Sequence, residues 1–117
     1  MAYHEDLGYR LGEILCTEDG LSEQPMYGGL AFLLNGNMAL SASSKGGLLL
    51  RVDPVLTAKL LTRAHTRPFV MREKEMAGWL RVEHEGIRTK RDLQRWVRIG
   101  VDFAQSLPPE RTTRRAR

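Results

Sequence analysis

Two pairs of glutamates have the spacing that a catalytic carboxylate dyad would need on one face of a strand. They are Glu73 with Glu75, and Glu83 with Glu85. Paired carboxylates can act as general acid and base when one is protonated and the other ionised. Both pairs lie in charged segments with arginine or lysine beside them, which favours solvated ion pairing over catalysis. His84 points to the opposite side of an extended chain, so we assign no catalytic residue.

The other sequence patterns that mark enzymes and metal sites are missing. The chain has no G-x-S-x-G elbow, no Walker P-loop and no G-x-G-x-x-G after a strand. Its Gly-Gly pairs, at 28–29 and 46–47, are better explained by turns or strand kinks than by a phosphate cradle. Cys16 is expected to pack on an apolar helix, and three scattered histidines give no metal-ligand spacing. The sequence therefore predicts a non-enzymatic protein without a cofactor or metal.

Length and composition fit one globular domain. The chain has 117 residues, of which 42% are hydrophobic and 27% are charged, enough for a single core. No stretch approaches the ~18 to 20 apolar residues that cross a bilayer. The N-terminus also lacks a basic segment followed by an apolar one. We expect a cytoplasmic protein.

The net charge of +4 belongs mainly to the end of the sequence. The last ten residues, PPERTTRRAR, carry four arginines and one glutamate. Composition predicts a folded domain over residues 1–107 and a disordered basic tail over residues 108–117. Such a tail is more often a solubilising end than a nucleic-acid arm.

The elements that would position any site alternate between helical and strand periodicity. Leucine and isoleucine recur at helical spacing and predict a first helix over residues 4–16, followed by a loop over residues 17–25. Between residues 26 and 52 the period changes to two and predicts three strands. An Asn35-Gly36 hairpin turn joins the first two of these strands.

The second half of the chain predicts another helix, two strands and a last helix. Asp53 and Pro54 supply an N-cap and a first-turn proline for the short helix. Two strands follow, around residues 69–71 and 79–83. The resulting order, αβββαββα, predicts a two-layer α+β sandwich in which helices cover one face of a mostly antiparallel five-stranded sheet.

The two faces of this sheet differ in composition. The face expected beneath the helices carries Phe32, Leu40, Leu50, Met71 and Leu80. Alternation places on the other face Leu33, Leu49, Arg51, Val70, Arg72, Trp79 and Arg81. Tryptophan and arginine often anchor protein contacts, so we expect self-association or docking of a protein partner there. The alternative is that the arginine stems cover the apolar groups and shield them from water.

The last helix carries the most compact basic feature. Thr89 and Asp92 resemble a capping box at its start. Its apolar side is predicted to carry Leu93, Trp96, Val97, Gly100, Phe103, Ala104 and Leu107. Arg91, Arg95 and Arg98 share the opposite face. Together with Arg111, Arg114, Arg115 and Arg117 of the tail they form a candidate nucleic-acid contact, although a solvated helix face is the more common explanation. Any such binding should be weak, non-specific and sensitive to salt.

Five motifs in order resemble the TfoX N-terminal domain family, which is related to bacterial competence regulators. They are Met26 to Gly29, Asn35-Gly36, Leu50 to Val52, Gly78 to Leu80, and Ser106 to Pro109. Tyr27 stands where the family pattern usually has phenylalanine. The resemblance spans nearly the whole chain and implies a two-layer α+β fold with a role in transcription regulation.

The full-length regulators of this family carry a second, helical domain after the first. The present sequence ends instead in PPERTTRRAR, so we expect a stand-alone N-terminal domain. The resemblance implies a non-enzymatic regulatory or protein-interaction module. The alternative is a nucleic-acid-binding accessory protein that uses the basic helix face and the arginine-rich tail.

Overall fold

The computed structural model describes residues 5–26, 29–43 and 46–108. Its helices are α1 Glu5–Leu15, α2 Thr57–Leu60 and α3 Lys90–Ser106. Its strands are β1 Leu21–Met26, β2 Gly29–Leu34, β3 Asn37–Ala42, β4 Leu48–Arg51, β5 Thr66–Met71 and β6 Lys74–Val82. Short 3-10 segments cover Pro54–Leu56 and His84–Ile87.

The strands form one open antiparallel sheet. Their order is β1-β2-β3-β4-β6-β5, and every neighbouring pair runs antiparallel. Helices and sheet together confirm the predicted α+β class. The described sheet has six strands rather than the predicted five.

The additional strand is β1, which lies where the sequence predicts a loop over residues 17–25. That prediction is wrong for residues 21–25, because β1 pairs along its whole length with β2. As an edge strand, β1 leaves Ser22, Glu23 and Gln24 exposed. It therefore lacks the apolar alternation by which a half-buried strand is recognised.

Helices α1 and α3 bury their apolar sides on the same face of the sheet. Leucines of α1 and the apolar side of α3 share one hydrophobic core with side chains of β2, β3, β4 and β6. The strand side chains at its centre are Phe32, Leu40, Leu50 and Leu80, as predicted. The side chain of Met71, predicted for the same face, lies outside the described part of the structure.

Trp96 lies in this core and is only 7% exposed, which confirms the predicted orientation of α3. The guanidinium carbon of Arg63 lies 5.3 Å from the centre of the Trp96 ring. The hydroxyl of Thr89 accepts a hydrogen bond from the backbone nitrogen of Asp92 at 3.1 Å, so the predicted N-cap is present. Phe103, predicted for the buried side, is only half-buried.

Two tight turns connect neighbouring strands. Asn35 and Gly36 have φ values of 52° and 84°, as the predicted hairpin turn requires. Between β5 and β6, the same left-handed conformation is adopted by Arg72 and Glu73, with φ values of 53° and 65°. Arg72 was predicted for a strand face; the structure places it in this turn instead.

Both edge strands of the sheet contain a proline. Among the described residues, Pro25 lies in β1, which pairs only with β2, and Pro68 lies in β5, which pairs only with β6. Proline has no backbone N–H to offer a further strand, and it is typical of sheet edges for that reason.

Two findings concern the ends of the helices and of the described chain. Cys16 was predicted to be packed, but α1 ends one residue before it and the thiol is exposed. The side-chain amide of Asn37 donates a hydrogen bond to the carbonyl oxygen of Pro108 at 2.8 Å.

Residues 109–117, with the predicted nucleic-acid contacts Arg111, Arg114, Arg115 and Arg117, lie outside the described residues. None of the described helices has the length and apolar character required to cross a membrane.

Candidate protein-contact surface

The sheet face opposite the core combines apolar and basic side chains, and the strand register decides which ones share it. Leu49 pairs with Arg81, Arg81 pairs with Arg67, and Arg51 pairs with Trp79. Directly opposite residues of an antiparallel pair point to the same face. The alternating Leu50 and Leu80 pair points into the core. We call the face that carries the other pairs the open face.

Aromatic rings and an arginine come together where this face meets α3. The rings of Phe69 and Trp79 lie 6.2 Å apart at 52°. The guanidinium carbon of Arg51 lies 5.7 Å from the Trp79 ring and 5.7 Å from the ring of Phe103 in α3. Phe69, Trp79 and Arg51 are each half-buried, so part of each side chain remains in contact with water. We call Phe69, Trp79, Phe103 and Arg51 the aromatic cluster.

The contacts of Arg51 support the shielding alternative for this residue. An arginine between two rings covers apolar area and gains cation–π energy, about 0.5–1 kcal/mol where water has access. Its guanidinium nevertheless stays partly in contact with water, because Arg51 is only half-buried. The cluster is therefore a partly covered apolar patch with a fixed positive charge.

Arg81 has a structural partner on the same face. Its Nη2 atom donates hydrogen bonds to the Ser43 hydroxyl at 3.1 Å and to the Gly46 carbonyl oxygen at 2.9 Å. These bonds link β6 to the connection between β3 and β4. Arg81 is thus held in place by the fold, and its side chain is only partly available to a partner.

Two of the predicted contact residues, Leu33 and Arg72, differ from the expectation, whereas Val70 and Leu49 do not. Leu33 is only 6% exposed, next to a register shift between Phe32 and Leu33, and is not accessible to a partner. Arg72 lies in the β5–β6 turn rather than on the face. Val70 is 52% exposed and lies beyond a second irregularity, between Pro68 and Val70. Leu49 is half-buried, as expected for a position on the open face.

Sequence reasoning missed two members of the cluster. Phe69 was assigned to a strand but not to this face, because the irregularity that follows Pro68 cannot be read from alternation. Phe103 was assigned to the core side of α3. Both are half-buried aromatic residues, and only the contacts with Trp79 and Arg51 bring them together.

The basic face of α3 is exposed, but its arginines are not equivalent. Arg98 approaches Asp102 at 3.3 Å and Glu18 at 3.5 Å. Arg91 and Arg95 are exposed and, within the described part of the chain, have no hydrogen bond or ion pair. Of the three arginines predicted on this face, Arg91 and Arg95 are therefore available to contact a phosphate group, whereas Arg98 is paired.

The glutamate pairs are as solvated as the sequence suggests. Glu73 and Glu75 are exposed at the β5–β6 turn. Glu83 accepts a hydrogen bond from Nε of Arg67, an ion pair between partly exposed groups. Partly exposed ion pairs of this kind contribute little stability.

An open antiparallel sheet backed on one side by helices defines a small two-layer α+β domain. The family model described as TfoX N-terminal domain matches residues 13–104. The chain therefore belongs to the TfoX N-terminal domain family, a family of regulatory type. No curated protein and no solved structure matches the chain significantly.

Proposed function

We propose that this protein is a non-enzymatic regulatory module that binds a protein partner through the open face. Membership of a regulatory family supports the general role. The observation that carries the proposal is the aromatic cluster, in which Phe69 and Trp79 are each only half-buried although the Phe103 ring of α3 lies on Arg51 beside them. Rings and arginine in one patch are the residue types that most often anchor protein contacts.

Charge favours an acidic partner over a second copy of the chain. Arg51, Arg67 and Arg81 occupy neighbouring register positions on the open face. Two copies that met through this face would bring like charges together, which is unfavourable across an interface. Arg67 already pairs with Glu83, and Arg81 is partly occupied by Ser43 and Gly46, so an acidic partner would pair mainly with Arg51 while it covers the rings. The partner is therefore a protein with an acidic contact surface.

Substitution of Trp79 by glutamate should abolish binding of such a partner. The change removes the ring that contacts both Phe69 and Arg51, and it adds a negative charge that neutralises Arg51 and repels an acidic partner. The matched control is Val55→Glu, because Val55 is an apolar residue that is 85% exposed elsewhere on the molecule. Crosslinking in cell extract followed by identification of the linked proteins measures the effect, and thermal denaturation verifies that each variant is folded.

Three outcomes distinguish the alternatives. The expected result is an acidic protein that links to the wild type and to Val55→Glu but not to Trp79→Glu. If sedimentation instead shows a dimer that Trp79→Glu dissociates, the open face joins two copies and the acidic partner is wrong. Equal crosslinking by the wild type, Val55→Glu and Trp79→Glu would refute the contact surface. The arginine stems would then only shield the apolar side chains from water. Should Trp79→Glu fail to fold, Val70→Glu tests the same region at an exposed position.

The second candidate is a nucleic-acid-binding accessory function, which the exposure of Arg91 and Arg95 favours. Binding should be weak and independent of sequence, because phosphate contacts carry no base information. In the double variant with Arg91→Glu and Arg95→Glu, the slope of log K against log salt should fall in magnitude by about 2, since each contact contributes about 0.9. The control with Lys59→Glu and Lys74→Glu has the same net charge. Equal salt slopes in the two variants would refute contact by α3.

A further inference from the structure

A cluster of polar side chains lies at the C-terminal end of β6, where the chain leaves the sheet. Thr66, the first residue of β5, pairs with Val82, the last residue of β6. His65 precedes Thr66 and Glu83 follows Val82, so these two residues are also neighbours. The backbone nitrogen of Glu83 donates a hydrogen bond to the carbonyl oxygen of His65 at 2.8 Å. This bond fixes His65 beside Glu83, although the two residues are far apart in the sequence.

The 3-10 segment His84–Ile87 brings a third side chain to the same place. The Gly86 nitrogen donates to the Glu83 carbonyl oxygen at 2.8 Å, which turns the chain back. A Cβ on Gly86 would lie only 3.0 Å from the Cβ of His65, so this segment packs directly against the histidine. As a result, one ligand atom from each of His65, Glu83 and Glu85 lies within 4.8 Å of the others.

The geometry points to a binding site for a zinc ion formed by His65, Glu83 and Glu85. Zinc binds imidazole nitrogen and carboxylate oxygen at about 2.0–2.2 Å, which places tetrahedral ligand atoms about 3.4 Å apart. The three side chains are exposed or half-buried, so small rotations close the remaining difference. Three protein ligands leave at least one coordination position for water. This inference is independent of the proposed function.

The charges of the cluster favour a divalent cation. Two carboxylates that lie this close repel each other, and a cation between them removes the repulsion. Arg67 donates to the Oε2 atom of Glu83, which leaves the other carboxylate oxygen for the metal and orients the group. The imidazole distinguishes the metal: magnesium and calcium prefer oxygen ligands alone, whereas zinc accepts mixed nitrogen and oxygen sets.

The site escapes a sequence search because no spacing rule connects its members. His65 lies between α2 and β5, whereas both glutamates follow β6. Glu83 and Glu85 were considered as a dyad with each other and with His84, not with a histidine from another segment. Only the pairing of β5 with β6 brings the imidazole to them.

Titration calorimetry with zinc chloride tests the inference on the full chain without a histidine tag. We expect one zinc ion per chain and a zinc-dependent rise in the melting temperature. The His65→Asn variant should bind zinc more than about 10-fold more weakly, since loss of even an outer-shell partner weakens binding at least that much. Asparagine suits this position because His65 has a φ of 66°, a conformation that asparagine tolerates.

The matched control is His84→Asn, which removes an exposed histidine outside the cluster. Its zinc affinity should equal that of the wild type, whereas Glu85→Gln should weaken binding like His65→Asn. Magnesium chloride in the same concentration range should give no binding. An absence of zinc binding up to millimolar concentration overturns the inference, as does equal weakening by His84→Asn and His65→Asn. If His65→Asn does not fold, the Glu85→Gln variant tests the inference alone, and unchanged zinc affinity in that variant overturns it.

Discussion

Replacement of Trp96 by alanine should lower the free energy of unfolding by about 3–5 kcal/mol. Trp96 is 7% exposed and belongs to the main hydrophobic core. Loss of the indole leaves a cavity between α3 and the sheet and removes the ring that Arg63 covers. Because a domain of this size has a total stability of about 5–15 kcal/mol, the variant should be close to unfolding. Urea denaturation followed by circular dichroism measures the change.

The matched control for this experiment is Tyr9→Ala. Tyr9 is also aromatic, but it is 69% exposed on α1, so its removal leaves no cavity. The control should change the free energy of unfolding by less than about 0.5 kcal/mol. An unchanged urea midpoint for Trp96→Ala would mean that α3 presents its other side to the sheet and that the basic face is the buried one.

The Gly47→Ala variant should lose about 2–4 kcal/mol of stability. Gly47 has a φ of +77°, which costs a residue with a side chain about 1–2 kcal/mol. A Cβ at this position would lie 2.6 Å from the carbonyl oxygen of Val82. Val82 pairs with Leu48 on one side and with Thr66 on the other, so this carbonyl cannot move without disturbing both ladders. Thermal or urea denaturation gives the measurement.

The Gly12→Ala variant provides a control of opposite sign. Gly12 lies inside α1, and apart from its chain neighbours and the backbone of α1 itself, no atom of the described residues would lie within 4 Å of a Cβ there. Alanine in a helix interior is favoured over glycine by about 1 kcal/mol, so this variant should be more stable than the wild type. Destabilisation by Gly12→Ala would show that α1 is packed more closely than the structure indicates. Equal melting temperatures for Gly47→Ala and the wild type would contradict the close approach to β6.

The parts of the fold that the sequence predicts are those with strong local signals. Alternating leucines with Asn35-Gly36 between them define β2 and β3, and the Thr89 cap defines the start of α3. β1 has no such signal, because its polar residues face water and only its backbone pairing with β2 makes it a strand. A strand that is stabilised by its neighbour rather than by its own pattern is not visible in a single sequence.

The candidate contact surface is predicted only where the strands are regular. Alternation correctly places Arg51 and Trp79 together, because β4 and β6 pair there without interruption. It fails at Leu33 and Phe69, each of which lies beside a register shift. Partners that are distant in the sequence cannot be predicted from spacing either. Arg98 forms an ion pair with Glu18, so the basic face of α3 has fewer unpaired cations than its spacing suggests.

The prolines in the two edge strands affect how a partner would be recognised. A partner that adds a strand to a sheet edge is held mostly through its backbone, so many different sequences satisfy the same edge. Pro25 and Pro68 disfavour this mode at β1 and β5, the outer strands of the described sheet. Recognition through the open face would depend on matched side chains instead. In related organisms, a change at Trp79 or Arg51 should then be accompanied by a compensating change in the partner, so paired variation between the two genes would identify it.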